Sequence, residues 1–122
     1  MMTALVLFII TVSNCRKDRG DLYRPLPDVP SFHNDIVPMF NSYCALSGCH
    51  EGGSPAGNLN LTAGVAYNQL FLRHEIDTIT PANSNLYQRM SGSGFIMPPT
   101  GKLNHYYYDL VLKWIQQKAK NN

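Results

Sequence analysis

Cys44 and Cys49 are separated by Ala45-Leu46-Ser47-Gly48, and His50 follows the second cysteine directly. Two thiols with an adjoining imidazole are what covalent haem attachment requires. Each thiol adds to one vinyl group of the macrocycle, and the histidine beside the second thioether is held under the iron. The commonest form of the motif has two residues between the cysteines, whereas this one has four. Ser47-Gly48 gives the longer loop the backbone freedom to bulge while both sulfurs reach the ring. Two other chemistries fit the same residues. In an exported chain the pair would form a disulfide by default, and a zinc site would need a fourth ligand recruited from His33, His74 or His105. An iron–sulfur cluster wants four thiolates, and the chain has three cysteines in all.

A haem site usually takes a second axial ligand from elsewhere in the chain, and Phe95-Ile96-Met97-Pro98-Pro99 offers one. Met97 lies between a glycine-rich approach, Ser91-Gly92-Ser93-Gly94, and two prolines, so its loop can bend inward and then be held stiff. A thioether suits haem iron and raises its potential. Met39, in the segment leading to Cys44, is the poorer candidate, and Met90 on a short helix reads as core filler. His74 at a helix end and His105 in a first helical turn read as solvent-facing, as does His33. With His50 and Met97 both bound to iron, no coordination position is open, which favours electron transfer over activation of a substrate. No Ser/His/Asp arrangement, phosphate-cradling glycine loop or spaced carboxylate pair is present. The chain therefore reads as an electron carrier and not as an enzyme in its own right.

These residues need a scaffold. Across 122 residues there is room for one domain with short extensions. Ile36, Val37, Phe40 and Tyr43 recur at helical spacing, with Asn34 or Asp35 as cap and Pro38 in the first turn, and this helix leads into Cys44. Glu51 to Asn58 is a loop rich in glycine. A short helix is expected over Ala63 to Phe71, capped by Thr62, with Val65, Leu70 and Phe71 as its apolar residues. Another is expected over Leu86 to Met90, capped by Ser84. The strongest periodicity comes last: Tyr107, Leu110, Val111, Trp114, Ile115 and Lys118 form one stripe behind an Asn104 cap. Ile76 to Thr80 is the one stretch that could be briefly extended. The fold class is all-α, a small helical domain with long loops around one haem.

The net charge is +2 with no basic cluster, so nucleic acid is not an expected partner. Thr3 to Val12 is apolar but about half the length a membrane span needs, and it reads as the apolar part of a secretion signal. Val12-Ser13-Asn14-Cys15 resembles a bacterial lipobox, which implies a signal over residues 1–14 and diacylglycerol on Cys15; an ordinary cleaved signal and a retained apolar terminus are the alternatives. Residues 15–30 then form a charged, proline-punctuated tether. Residues 31–122 form the domain, a monomer held on a membrane and facing the periplasm.

The order Asp35-Ile36-Val37-Pro38-Met39-Phe40, Cys44 to His50, Leu86-Tyr87-Gln88-Arg89-Met90, Met97-Pro98-Pro99 and a final helix with Trp114-Ile115 resembles the small exported c-type cytochrome domains called planctomycete-type cytochrome c. The resemblance covers most of residues 31–122. It implies a cytochrome c-like helical fold, one haem c bound covalently through Cys44 and Cys49, His50 as proximal ligand and Met97 as distal ligand. It also implies single-electron exchange with larger redox proteins across small, brief interfaces. Tyr87 and Arg89 are candidates to reach the haem propionates, with solvated surface an equal alternative for Arg89. Two rival functions remain: a haem peroxidase or gas sensor with an open sixth position, and a cofactor-free lipoprotein stapled by a disulfide.

Overall fold

The computed structural model describes residues 24–92 and 94–122. The expected signal, the expected lipidation at Cys15 and the tether up to residue 23 lie outside the described residues. Among those described there is no strand, and the elements are α1 (Val37–Tyr43), α2 (Ala66–Leu72), α3 (Asn85–Ser91) and α4 (His105–Gln116). A π-helical turn, Phe32–Ile36, runs straight into α1, and single 3-10 turns occupy Ala56–Asn58 and Pro81–Asn83. The domain is all-α, and no helix among the described residues is long and apolar enough to cross a membrane.

The longest helix, α4, is the scaffold. Asn104 caps it as expected, its side-chain oxygen accepting from the Tyr106 N–H at 2.9 Å. Leu110, Val111, Trp114 and Ile115 of the stripe are all buried. Tyr106 is buried where Tyr107 was expected, and Ala119 takes the inward position beyond the helix end while Lys118 turns out to solvent and donates to the Thr78 carbonyl at 3.0 Å. The chain leaves α4 with positive φ at Lys118 and Ala119, which folds Lys120 back so that its carbonyl accepts from Trp114 Nε1 at 2.9 Å.

Aromatic packing joins the start of the domain to its end. Phe32 lies 5.2 Å from Trp114 and 5.2 Å from Tyr67 between ring centroids, and it meets Phe40 edge-on at 6.4 Å. One residue thus ties the π-turn, α1, α2 and α4 together. The first helical stretch starts earlier than its apolar spacing suggests. Its cap is Ser31, whose hydroxyl accepts from the Asn34 N–H at 3.1 Å, while Asp35 reaches back to accept from the Ser31 N–H at 2.8 Å. The reciprocal pair satisfies two otherwise orphan donors, in the manner of a capping box with one extra residue. Asn122 closes the same corner, accepting from Phe32 N–H at its side chain and from His33 N–H and the Ser31 hydroxyl at its main-chain oxygen.

The described end of the expected tether has no regular structure but lies on the domain. Pro30 is fully buried, Leu26 packs against the core, and the Arg24 guanidinium sits 5.0 Å over the Tyr106 ring.

α2 begins at Ala66, later than expected. Thr62 contributes its carbonyl to the preceding turn, and no side chain caps the helix. Its buried residues are Ala66 and Leu70, while Val65 and Phe71 are exposed. Ser84 precedes α3, but its hydroxyl is not a helix cap. It is buried and accepts from the Asp77 N–H at 2.8 Å while donating to the Asp77 carbonyl at 3.2 Å, and so holds the 76–80 segment as a loop. In that loop the Asp77 carboxylate accepts from the Thr80 hydroxyl and from the Thr80 and Ile79 N–H groups, bonds that hold its pKa below the ordinary carboxylate value.

Trp114 makes the central contact and is 1 % exposed. Trp114→Ala is expected to destabilise the domain by about 3–5 kcal/mol, read as a lowered urea midpoint with an unchanged slope. A loss under about 1 kcal/mol would mean that the aromatic cluster does not hold the fold together.

Candidate functional site

The site is assembled from loops hung on this scaffold. α1 ends at Tyr43, and both Cys44 and Ala45 donate their N–H groups to the Phe40 carbonyl at 2.8 and 2.7 Å. The chain then makes a tight turn in which Cys49 N–H donates to the Leu46 carbonyl at 2.9 Å, with Gly48 at φ +77°. That left-handed conformation is where a glycine is wanted, and it lets His50 N–H return to the Cys44 carbonyl at 3.1 Å. The four intervening residues therefore form a closed bulge that brings the two cysteines and His50 together.

His50 is fixed at three points. Its carbonyl accepts from Leu61 N–H at 2.8 Å, its N–H closes the bulge, and its Nδ1 lies 3.1 Å from the Leu59 carbonyl. A carbonyl oxygen can only accept, so Nδ1 is the donor, and in the neutral ring the lone pair is on Nε2. The strap behind it is braced in turn: Asn60 donates to the Gly52 carbonyl at 3.1 Å and accepts from Thr62 N–H at 2.9 Å.

Two hollows meet at these residues. The larger, about 270 Å³, is lined by Cys44, His50, Leu59, Leu61, Leu86, Met90 and Met97, with Glu75, Asn85 and Arg89 as further polar residues. The smaller, about 120 Å³, is bounded by Tyr43, Cys44, Cys49, His50, Met97 and the two prolines after it. Cys44, His50, Ala56 and Met97 line both. The larger is just below the roughly 300 Å³ at which small-molecule pockets begin. Both open to solvent on one side.

Met97 reaches the site because α3 delivers it. Gly92, at φ +97°, ends that helix in the left-handed region, and Met97 N–H then donates to the Arg89 carbonyl at 2.9 Å. Met90 also lines the larger hollow but is buried in the core at 2 % exposure, and Met39 is core throughout. Among the described methionines, Met97 alone borders both hollows. His33, His74 and His105 are exposed and line neither, and His105 faces Asp109 at 3.2 Å. No group of three or more His, Cys, Asp or Glu able to hold a metal ion occurs among the described residues. Tyr87 turns away to meet the Tyr108 ring edge-on, whereas Arg89 lines the larger hollow. Tyr43, on the smaller one, shares a hydrogen bond of 3.2 Å with the Tyr107 hydroxyl.

Sequence reasoning missed the Leu59 carbonyl, Glu75, Asn85 and Tyr43. The first is a main-chain atom with no signature of its own, though Leu59 and Leu61 alternating around Asn60 after the glycine loop mark a short inward-facing segment. Comparison with protein-family models, with characterised proteins and with solved structures finds no match to the chain. The geometry defines an all-α domain whose cysteine pair, histidine and loop methionine border a shared, mostly apolar hollow.

Among the described residues, Cys44 and Cys49 are free thiols and are not bonded to each other. Burial, with the neighbouring Cys49 acting in the same direction, pushes the Cys44 thiol from the usual 9.0 up to about 11. Cys44 is therefore neutral at pH 7 in the bare polypeptide. Its alkylation by iodoacetamide, followed by mass spectrometry of the Cys44 peptide, is expected to rise with pH toward about 11. A profile that levels off near 9.0 would show a solvent-accessible sulfur instead.

Proposed function

We propose that this domain is a haem c electron carrier, with Cys44 and Cys49 as the thioether anchors and His50 and Met97 as the axial ligands. The observation that carries this reading is the hollow bordered at once by Cys44, a histidine with its Nδ1 proton committed to a carbonyl, and a methionine from a distant loop. The donor set fits the group chemically. Two thiols in a glycine-relaxed bulge suit two vinyl carbons, the Nε2 lone pair suits iron, and a thioether completes a low-spin pair.

When bound, haem c supplies a one-electron couple between ferric and ferrous iron. The chain's own residues do the rest. Cys44 and Cys49 fix the macrocycle edge, and the Leu59 carbonyl holds the His50 ring at one orientation and makes its free nitrogen a better donor. Met97, held by its N–H to the Arg89 carbonyl, would be the second protein ligand to the iron and would leave no position open to solvent. Leu59, Leu61, Leu86 and Met90 form an apolar wall that would favour the less charged ferrous state of a haem bound there. The open side of the hollows leaves an edge from which an electron can pass to a docked redox protein. The apolar leader and Cys15 support an exported, lipid-anchored carrier facing the periplasm.

The decisive measurement is the mass and pyridine haemochrome spectrum of protein matured with the haem-attachment machinery. The expected result is one haem that survives acid–acetone extraction, lost in Cys44→Ser/Cys49→Ser. A polypeptide without added macrocycle sinks the proposal and leaves a cofactor-free lipoprotein. For the axial pair, Met97→Ala is expected to abolish the sulfur-to-iron charge-transfer band of the ferric protein and to lower the potential. Persistence of the band assigns the sixth position to another residue, and its absence in the parent protein with a high-spin ferric spectrum favours an open, ligand-binding haem.

A further inference from the structure

We propose that Arg89, steadied by Asn85, is the seat for the propionate carboxylates of the bound haem; this inference rests on the haem reading of the cavity. Among the described residues, Arg89 is the one cationic side chain on the wall of the larger hollow. Its guanidinium has no carboxylate of the described residues within ion-pair distance. Its contacts are a long hydrogen bond from Nε to Asn85 Oδ1 at 3.4 Å and the face of Phe95 at 5.9 Å. Glu75 is the acidic residue lining the same hollow, and Asn85 Nδ2 donates to its Oε2 at 2.6 Å. The neutral amide thus stands between acid and base, and among the described residues only the Nε–H of the guanidinium's five donors is engaged in a hydrogen bond.

The two hollows give the site a direction. Cys49 lines only the smaller and Arg89 only the larger, while Cys44, His50 and Met97 line both. Haem carries its two vinyl groups and its two propionates on opposite halves of the ring. A ring whose vinyls meet Cys44 and Cys49, with iron between His50 and Met97, therefore extends its acidic half into the hollow that contains Arg89. A planar fork of N–H donors matches a carboxylate there better than an ammonium would. Tyr87, the other residue in this segment with suitable chemistry, is turned toward Tyr108 and lines neither hollow. The cation offsets the propionates' negative charge next to the iron, so it disfavours the ferric state and raises the midpoint potential.

The test uses the matured, haem-bearing full chain and compares Arg89→Leu, Arg89→Gln and Arg89→Lys with the parent. Two readouts are taken: the midpoint potential, and the propionate bending bands in the low-frequency resonance Raman spectrum. In R89L and R89Q the midpoint is expected to fall and the propionate bands to shift, with haem content and the Met97 charge-transfer band retained. R89K is expected to keep most of the midpoint but not the parental band positions, because it restores charge without the fork. R89Q keeps a side chain of similar reach, so it decides the question by itself if R89L does not accumulate. Haem-bearing R89L or R89Q with parental midpoint and parental bands overturns the assignment of Arg89 alone. A parent protein that matures with no haem overturns the electron-carrier reading as well, and the two failures are told apart by mass before any potential is measured.

Discussion

The contact between Phe32 and Trp114 is the constraint on which the rest of the molecule hangs. None of α1 to α3 exceeds seven residues, and helices that short are not stable alone in water. They persist because each lays an apolar face against α4 or against the aromatic cluster that α4 presents. Phe32 arrives from one end of the domain and Trp114 from the other, so their packing closes a long loop and holds α1 at a fixed angle to α4. Asn122 and the Ser31–Asp35 pair seal the corner with hydrogen bonds that keep its main-chain groups satisfied.

From that frame the site follows by short steps. α1 is pinned through Phe32 and Phe40, so its C-terminal end, where Cys44 begins, is pinned too. The bulge from Cys44 to His50 closes on its own carbonyl, and the strap from Gly52 to Thr62 braces the imidazole from behind. On the far wall α3 packs against α4 through Leu86 and Met90 and hands Met97 to the hollow by a single main-chain hydrogen bond. The reactive side chains are carried by irregular backbone, and the regular elements behind them carry the stability.

Much of this could be read from residue order. The α4 stripe gave the four central buried residues, Leu110, Val111, Trp114 and Ile115, and missed at both ends, because periodicity over a twelve-residue amphipathic helix outweighs local accidents except near its termini. The cysteine pair, His50 and Met97 were legible as types at a spacing, and the structure brings them to one hollow. The misses have physical causes. Ser31 rather than Asn34 or Asp35 caps the first helical stretch because a π-turn inserts an additional residue ahead of α1, which the apolar spacing cannot reveal. Ser84 looked like a cap, yet its hydroxyl serves Asp77 seven residues earlier, a choice made by tertiary folding. Val65 and Phe71 looked like core, but on a helix of two turns a small rotation decides which apolar side chain is covered, and Ala66 is buried instead.

The His50 ring is oriented by a peptide oxygen, not by a side chain, and this shapes how the region can evolve. A main-chain acceptor is contributed by whatever amino acid occupies position 59, provided the strap keeps its path. The physical requirement there is on backbone course and apolar bulk, and the hydrogen bond itself leaves the identity of the supporting residue loosely specified. Lineages sharing such an arrangement can drift apart letter by letter around the histidine while its chemistry stays constant, so their kinship would survive in shape longer than in spelling.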